Sequence, residues 1–430
     1  MPVLILLSLL FYSYWDIRFL PVMVVSILGN WLAAKAFLTT KIPAIIVWSI
    51  VLNLAALGVF KYTNFFADDL AYLIGRSIPH LDLVLPLGIS FFTFHHIMYL
   101  VDLRRGRAPA YPLDRYALYI CFFPQAISGP IARWNEVMHQ FGRRAFAPGW
   151  ERRCAVGATF IIVGLLQKTM LADPLSSALD PIYAQAASGP LAPEQAEMAL
   201  AFAFQIFFDF AGYSDIAIGL ALIFGVELPR NFDAPFRSSS ILELWQCWHM
   251  TLARFLRDYV FTPLANLRVG GRQHRVTRLL VALLLTMALC GLWHGAGWHY
   301  VLWGTLQGVA MVIAATWRRY LPSPPPLIGW VLTIGFFIVT AVFFRAPSLD
   351  AVWNVYQGLA AIPTNFHPQG RNTLILAMFC AIVLPPSHEI VRRLTEIPRM
   401  QVALGLAAAA CLVLVALGNR ENYQFVYFQF

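Results

Sequence analysis

Charge is scarce in this sequence. Only 12% of its 430 residues are Asp, Glu, Lys or Arg, and 59% are hydrophobic. A soluble domain carries about 25% charged residues, so a water-soluble globule is excluded. Cysteine is sparse too. Its six residues (Cys121, Cys154, Cys247, Cys290, Cys380 and Cys411) are scattered, mostly in or beside apolar runs, with no CxxC pair. They read as buried free thiols, not as a disulfide framework or a metal site. HExxH, GxSxG and a Walker-type phosphate loop are all missing, which argues against a zinc protease, a serine hydrolase of that type and direct use of ATP. The opening MPVLILLSLLFYSYW has no basic n-region and no small-residue cleavage site, so it is not read as a signal peptide. It is also short for a full span, so the first helix is either incomplete or begins at the membrane surface.

What the chain does have is hydrophobic runs, at 19–38, 43–60, 83–101, 155–171, 197–226, 277–292, 296–316, 327–344, 372–386 and 402–418. Most approach the roughly 17–25 residues a spanning helix needs, and in lipid such runs must be helical. The expected class is an all-α polytopic membrane protein of about 10–12 membrane helices, with 1–430 forming one membrane-embedded domain. The net charge of +9 lies in arginine groups between the runs: 104–107, 143–153, 268–278, 318–319 and 392–393. That is the pattern of cytoplasmic loops against anionic lipid, and not a nucleic-acid surface. One conflict is informative. A single run, YALYICFFPQAISGPIARW, separates two arginine groups, and Pro124, Gly129 and Pro130 break it. A re-entrant or broken helix is expected there.

Polar residues recur inside this apolar background. The stretch FRSSSILELWQCWHMTLARFLRDYVF begins with Ser238–Ser240 as cap material and Glu243 in the first turn, a helix start. On one continuous helix, Arg254 and Asp258 stand four apart and neutralise each other, while His249 lies nearly opposite with no local partner. Asp209 and Asp215 sit in a run long enough to span and need partners, such as Arg237 or Arg257. In LCGLWHGAGWHYVLWG, His294 and His299 lie between two apolar helices among close-approach glycines. His95 and His96 fall in an aromatic run and read as packing or interhelical hydrogen-bonding groups.

The segments LPLGISFFTFHHIMYLVD, CFFPQAISGPIARWNEV, FQIFFDFAGYSDIAIGLALIFGVELPRNFDAPFRSSSI, CWHMTLARFLRDYVFTPL, LCGLWHGAGWHYVLWG and the terminal YFQF resemble the membrane-bound O-acyltransferase (MBOAT) family. Within it they resemble the bacterial branch that acts on alginate and teichoic acid, in order and over nearly the whole chain. The resemblance implies membrane helices with re-entrant or broken segments around a central catalytic tunnel, with a catalytic core at about 83–318. It also implies transfer of an acyl group from a thioester to a hydroxyl. His294 matches the family's essential histidine and His249 the second one. Around them Trp245, Trp248, Trp293, Arg254, Arg257, Asp258, Asp209 and Asp215 are candidate substrate-binding residues, and the arginines of 268–278 could hold the donor's phosphates. No bound cofactor is implied. Acetyl-CoA is the expected co-substrate donor, with an acyl carrier protein as the alternative carrier. Expected partners are membrane lipid and a periplasmic SGNH-type transferase or the polysaccharide itself, at the bacterial inner membrane. A neutral imidazole suits general-base catalysis, and an acyl-histidine intermediate is the other route. Backbone N–H groups near Gly295 and Gly297, or tryptophan side chains, are oxyanion donor candidates. Gln246 and Cys247 stand where relatives are often basic, and the family usually has a further hydrophobic segment upstream. A non-catalytic transporter or export component, with Asp209, Asp215 and His294 as a proton relay, is the reading from a different class. A family member without catalysis is the third.

Overall fold

The computed structural model describes residues 1–142, 147–267, 274–361, 370–396 and 400–418. Among these residues the regular structure is entirely helical. Eight helices are long and apolar enough to cross a bilayer, or nine if one bent pair is counted as a span. Fewer cross than the apolar runs suggested, for local reasons. The runs at 83–101 and 115–131 give helices of 16 and 9 residues, Ile89–Arg104 and Leu113–Cys121. The run at 372–386 bends by 72° between Arg371–Val383 and Ser387–Glu396, at Pro385 and Pro386. Proline lacks the N–H a helix needs and clashes with the preceding turn.

The chain forms two compact units. The first comprises Met1–Ile161 and Ile216–Pro229. Its helices are α1 (Pro2–Trp15), α2 (Leu20–Thr40), α3 (Pro43–Ile74), α4 (Ile89–Arg104), α5 (Leu113–Cys121) and the short α6 (Phe123–Ala126). A polar clasp joins α2 to α3: Asn30 Oδ1 accepts from Ser49 Oγ at 2.8 Å and Asn53 Nδ2 at 2.7 Å. Hydrogen bonds of this kind hold helices together where hydrophobicity gives no preference between helix and lipid. On α4, His96 is fully buried, with Nδ1 2.6 Å from Tyr116 Oη and Nε2 3.3 Å from Ser26 Oγ. Neighbouring His95 holds Phe91 O at 2.8 Å through Nδ1. The expected broken helix is present. α5 stops at Phe122, α6 lasts four residues, and irregular backbone follows. That backbone is buried in protein, with Gln125 Nε2 donating to Tyr119 O at 2.7 Å. Gly129 packs on Pro124 O and Gln125 Cα, where a Cβ would not fit.

The second unit comprises Ile162–Asp215 and the described residues from Arg230 onward. α7 (Trp150–Leu166) runs into it and passes through a π-helical turn, Gln167–Ala172, to α8 (Asp173–Ser188). α9 is Phe202–Ile223. Two short helices, α10 (Ile241–Cys247) and α11 (Met250–Phe255), come next, followed by a second π-helical turn at Leu256–Phe261. α12 (Arg275–His294), α13 (Trp298–Tyr320) and α14 (Pro326–Arg345) complete the core, and α15 (Arg371–Val383), α16 (Ser387–Glu396) and α17 (Met400–Gly418) follow. α12 and α13 approach closely because a Cβ is absent at Gly291 and Gly304, which contact Tyr300 O and Met287 O.

Candidate active site

The stretch 235–262 is not one helix. Its start is as expected: Ser240 Oγ accepts from Glu243 N at 3.2 Å, and Glu243 Oε2 accepts from Ser239 N at 2.8 Å. The helix then stops. Trp248 is extended, and His249 has left-handed backbone (φ 40, ψ 53). A non-glycine residue there is strained and needs support from its surroundings. Support comes from the loop after α9. Asn231 O accepts from Met250 N at 2.8 Å, and Asp233 N donates to Cys247 O at 3.0 Å. Asn231 Oδ1 lies 3.2 Å from His249 Nδ1 and accepts from Thr251 Oγ1 at 2.6 Å. Asn231 Nδ2 donates to Ser214 Oγ on α9 at 3.1 Å. The expectation that His249 has no local partner on a continuous helix is therefore corrected: the break at 248–249 turns its ring toward Asn231.

His294 ends α12 and is also buried. It is caged edge-on by aromatic rings: Trp293 at 4.6 Å, Phe344 at 4.9 Å and Trp303 at 5.4 Å between centroids. His249 meets Phe210 in the same manner at 4.6 Å. The two imidazoles line one small cavity of about 20 Å³. Its other walls are Phe202, Ile206 and Phe210 from α9, Trp248, Trp303 from α13, and Phe337, Ala341 and Phe344 from α14. Burial holds the His249 imidazole below its ordinary pKa, in the neutral form.

The other sequence-level candidates divide. Trp248 lines the cavity, and Trp293 meets His294 edge-on. Trp245 sits behind Trp303 at 6.0 Å and is bonded through Nε1 to Gln307 Oε1 at 3.4 Å. Arg254 lies on α11, while Arg257 and Asp258 pair with each other at 2.8 Å in the π-helical turn, where Arg257 is exposed and Asp258 half-buried. Asp209 and Asp215 do not use Arg237 or Arg257. Asp209 takes Lys168 Nζ at 2.6 Å, and the same ammonium lies 2.8 Å from Asp173. Asp215 accepts from Gln167 Nε2 at 2.8 Å and Ser387 Oγ at 3.0 Å. Arg237 instead caps the end of α15, donating to Ile382 O at 2.8 Å and Val383 O at 2.7 Å. The π-helical turn explains the substitution: its extra residue swings Gln167 and Lys168 toward α9.

His299 is drawn away from the cavity and bonds Phe343 O at 2.9 Å through Nδ1. Gly297 N donates to Gly295 O at 3.1 Å within the turn between α12 and α13. Arg268 and Arg272 lie outside the described residues, as does the terminal YFQF.

Sequence reasoning missed two residues. Lys168 carried a usable signal, a lysine inside an otherwise apolar run. Asn231 carried none, because an asparagine in a polar loop is unremarkable until its partners are seen.

Comparison with known proteins agrees with this architecture. The model of the MBOAT, membrane-bound O-acyltransferase family matches residues 95–350, which contain both cavity histidines. The chain is 34% identical to the peptidoglycan O-acetyltransferase of Helicobacter pylori, covering 84% of this chain and 73% of that protein. It is 33% identical to the probable alginate O-acetylase AlgI of Pseudomonas aeruginosa, over 84% of this chain and 70% of that one. The teichoic acid D-alanyltransferase of Streptococcus thermophilus matches at 31% identity, over 59% of this chain and 65% of its own. A polytopic helical protein with this match along its length is an acyltransferase, and it belongs to the membrane-bound O-acyltransferase family.

Proposed function

We propose that this protein moves an acetyl group from a cytoplasmic thioester, with acetyl-CoA as donor, toward the hydroxyl of an exopolysaccharide or cell-wall polymer. The bacterial inner membrane is its proposed site of action. The observation that carries the reading is the small cavity walled by His249 and His294. In the reaction the thioester C–S bond breaks and an ester C–O bond forms. The hydroxyl proton passes to an imidazole and then to the departing thiolate, so no net proton is left in the site.

The cavity also bears on the acyl group. About 20 Å³ holds little more than one water-sized group, and apart from the imidazoles its walls are aromatic and aliphatic. An acetyl methyl suits such a space. A D-alanyl group would bring in an ammonium, which needs a paired charge or acceptors when desolvated. Relatives named for O-acetyl transfer to peptidoglycan and alginate support acetyl and a polymer acceptor. Arg254, Arg257, Arg275 and Arg278 are the proposed holders of donor phosphates. A periplasmic SGNH-type transferase is the proposed intermediate acceptor.

The test offers purified protein in proteoliposomes three donors in turn: acetyl-CoA, propionyl-CoA and a D-alanyl carrier protein. Periplasmic extract supplies the acceptor. The expected order of thiol release is acetyl over propionyl, with D-alanyl at background. Preferred consumption of the D-alanyl carrier would overturn the acetyl assignment, and no release from any donor would overturn the transferase reading of this site.

A further inference from the structure

We propose that Asn231 is a positioning residue that fixes His249 in one tautomer, Nδ1–H with Nε2 as the acceptor. In this arrangement His249 Nε2 takes the hydroxyl proton and then passes it to the departing thiolate. This rests on the acyl-transfer reading above and adds the role of one residue to it.

The assignment follows from which atoms can only donate. Asn231 receives the Thr251 backbone N–H at 3.4 Å on the same side-chain atom that accepts from Thr251 Oγ1 at 2.6 Å. A backbone N–H cannot accept, so that atom is the amide oxygen and the amide is not flipped. The other end agrees, since Asn231 Nδ2 donates to Ser214 Oγ at 3.1 Å. An amide oxygen has no proton to give. His249 Nδ1, 3.2 Å away, must therefore be the donor, and Nε2 of a neutral ring is then the acceptor.

The surroundings favour this state. Asn231 is 1% exposed and His249 also 1%. Burial is what holds the imidazole neutral. His294 is the other titratable side chain on the cavity wall. On α9, packed against His249 through Phe210, Asp209 is occupied by Lys168, and Asp215 by Gln167 and Ser387. Asp233, two residues past Asn231, lies 3.9 Å from His388, and Arg254 is on the helix that follows His249. A neutral amide partner does not stabilise the imidazolium as a carboxylate would. It orients the ring and leaves it a weak, ready base.

The closing experiment uses the full-length protein in nanodiscs and reads two quantities. Nitrogen-15 NMR of histidine-labelled protein, with His249 assigned by difference from His249→Gln, reads the tautomer without any turnover. The expected spectrum shows a protonated Nδ1 and an unprotonated Nε2. A protonated Nε2 would overturn the assignment.

The pH dependence of coenzyme A release reads the consequence. Asn231→Asp keeps an acceptor in place but adds a charge, and it should move the acid limb of the profile upward by about one unit or more. Asn231→Ala should lower turnover by about 10²- to 10⁴-fold with little change in KM for the donor. Ser214→Ala removes only the bond behind Asn231 and should change turnover by less than about threefold. An unmoved acid limb in Asn231→Asp, or wild-type turnover in Asn231→Ala, would sink the proposal. If wild-type protein releases no coenzyme A, the acyl-transfer reading fails, while the spectrum still decides the tautomer.

Discussion

Two pairs of histidines in this protein share burial and aromatic surroundings and differ in their partners. His95 and His96 in the first unit are as buried as His249 and His294 in the second, and both pairs lie among aromatic rings. The first pair is spent on structure. His96 is engaged through both nitrogens, by Tyr116 and Ser26, and His95 ties to the turn of its own helix. The second pair shares a cavity wall, one imidazole on a strained junction and the other at a helix end. Burial and aromatic company do not separate them, but the second pair borders a cavity in which a reactant could sit.

Substitutions can break that comparison, and the largest effect should come first. His294→Ala and His249→Ala should each lose about 10³-fold in turnover, and the double variant should be little worse, because groups acting as a unit are not additive. His95→Asn, compared at matched folded amount in the same coenzyme A release assay, should stay within about threefold of wild type. Equal losses in both pairs would erase the distinction.

Next is Lys168→Met, which leaves Asp209 and Asp173 without their shared ammonium. Breaking one side of a buried ion pair costs about 3–5 kcal/mol, so thermal unfolding in detergent should fall sharply. An unchanged melting temperature would show that the triad is not needed for stability. Ile206→Ala opens the cavity wall by a few carbons and should raise propionyl over acetyl use by about tenfold, since one methylene is worth about 1–3 kcal/mol in such a pocket. No change in donor preference would remove the cavity from acyl selection. The smallest effect is expected of Arg257→Gln. Its exposed pair with Asp258 should be worth less than about 1 kcal/mol in a melting measurement. Its proposed hold on donor phosphate is read separately, as a raised KM for acetyl-CoA, and an unchanged KM would remove Arg257 from the donor site.

Much of this was legible in the chain, for physical reasons. Lipid permits only helices or closed barrels, so the all-α class followed from apolar runs alone, and Pro124 and Pro130 announced the break after Phe122. The Ser240 and Glu243 cap was visible because capping chemistry is local. The break at His249 was not, because left-handed backbone at a histidine has no sequence signature and depends on Asn231 from a separate loop. The partners of Asp209 and Asp215 were misjudged for a related reason. A π-helical turn changes which residues face a neighbour, and the regular period of 100° per residue does not foresee it. His294 was read from its motif, but only the fold shows that it and His249 share one wall.

The most direct measurement of the central claim is coenzyme A release from acetyl-CoA by wild-type protein and His294→Ala in proteoliposomes, at equal folded amounts and with periplasmic acceptor present. The account predicts steady release by wild type and background release by the variant. Equal release by the two proteins would contradict it.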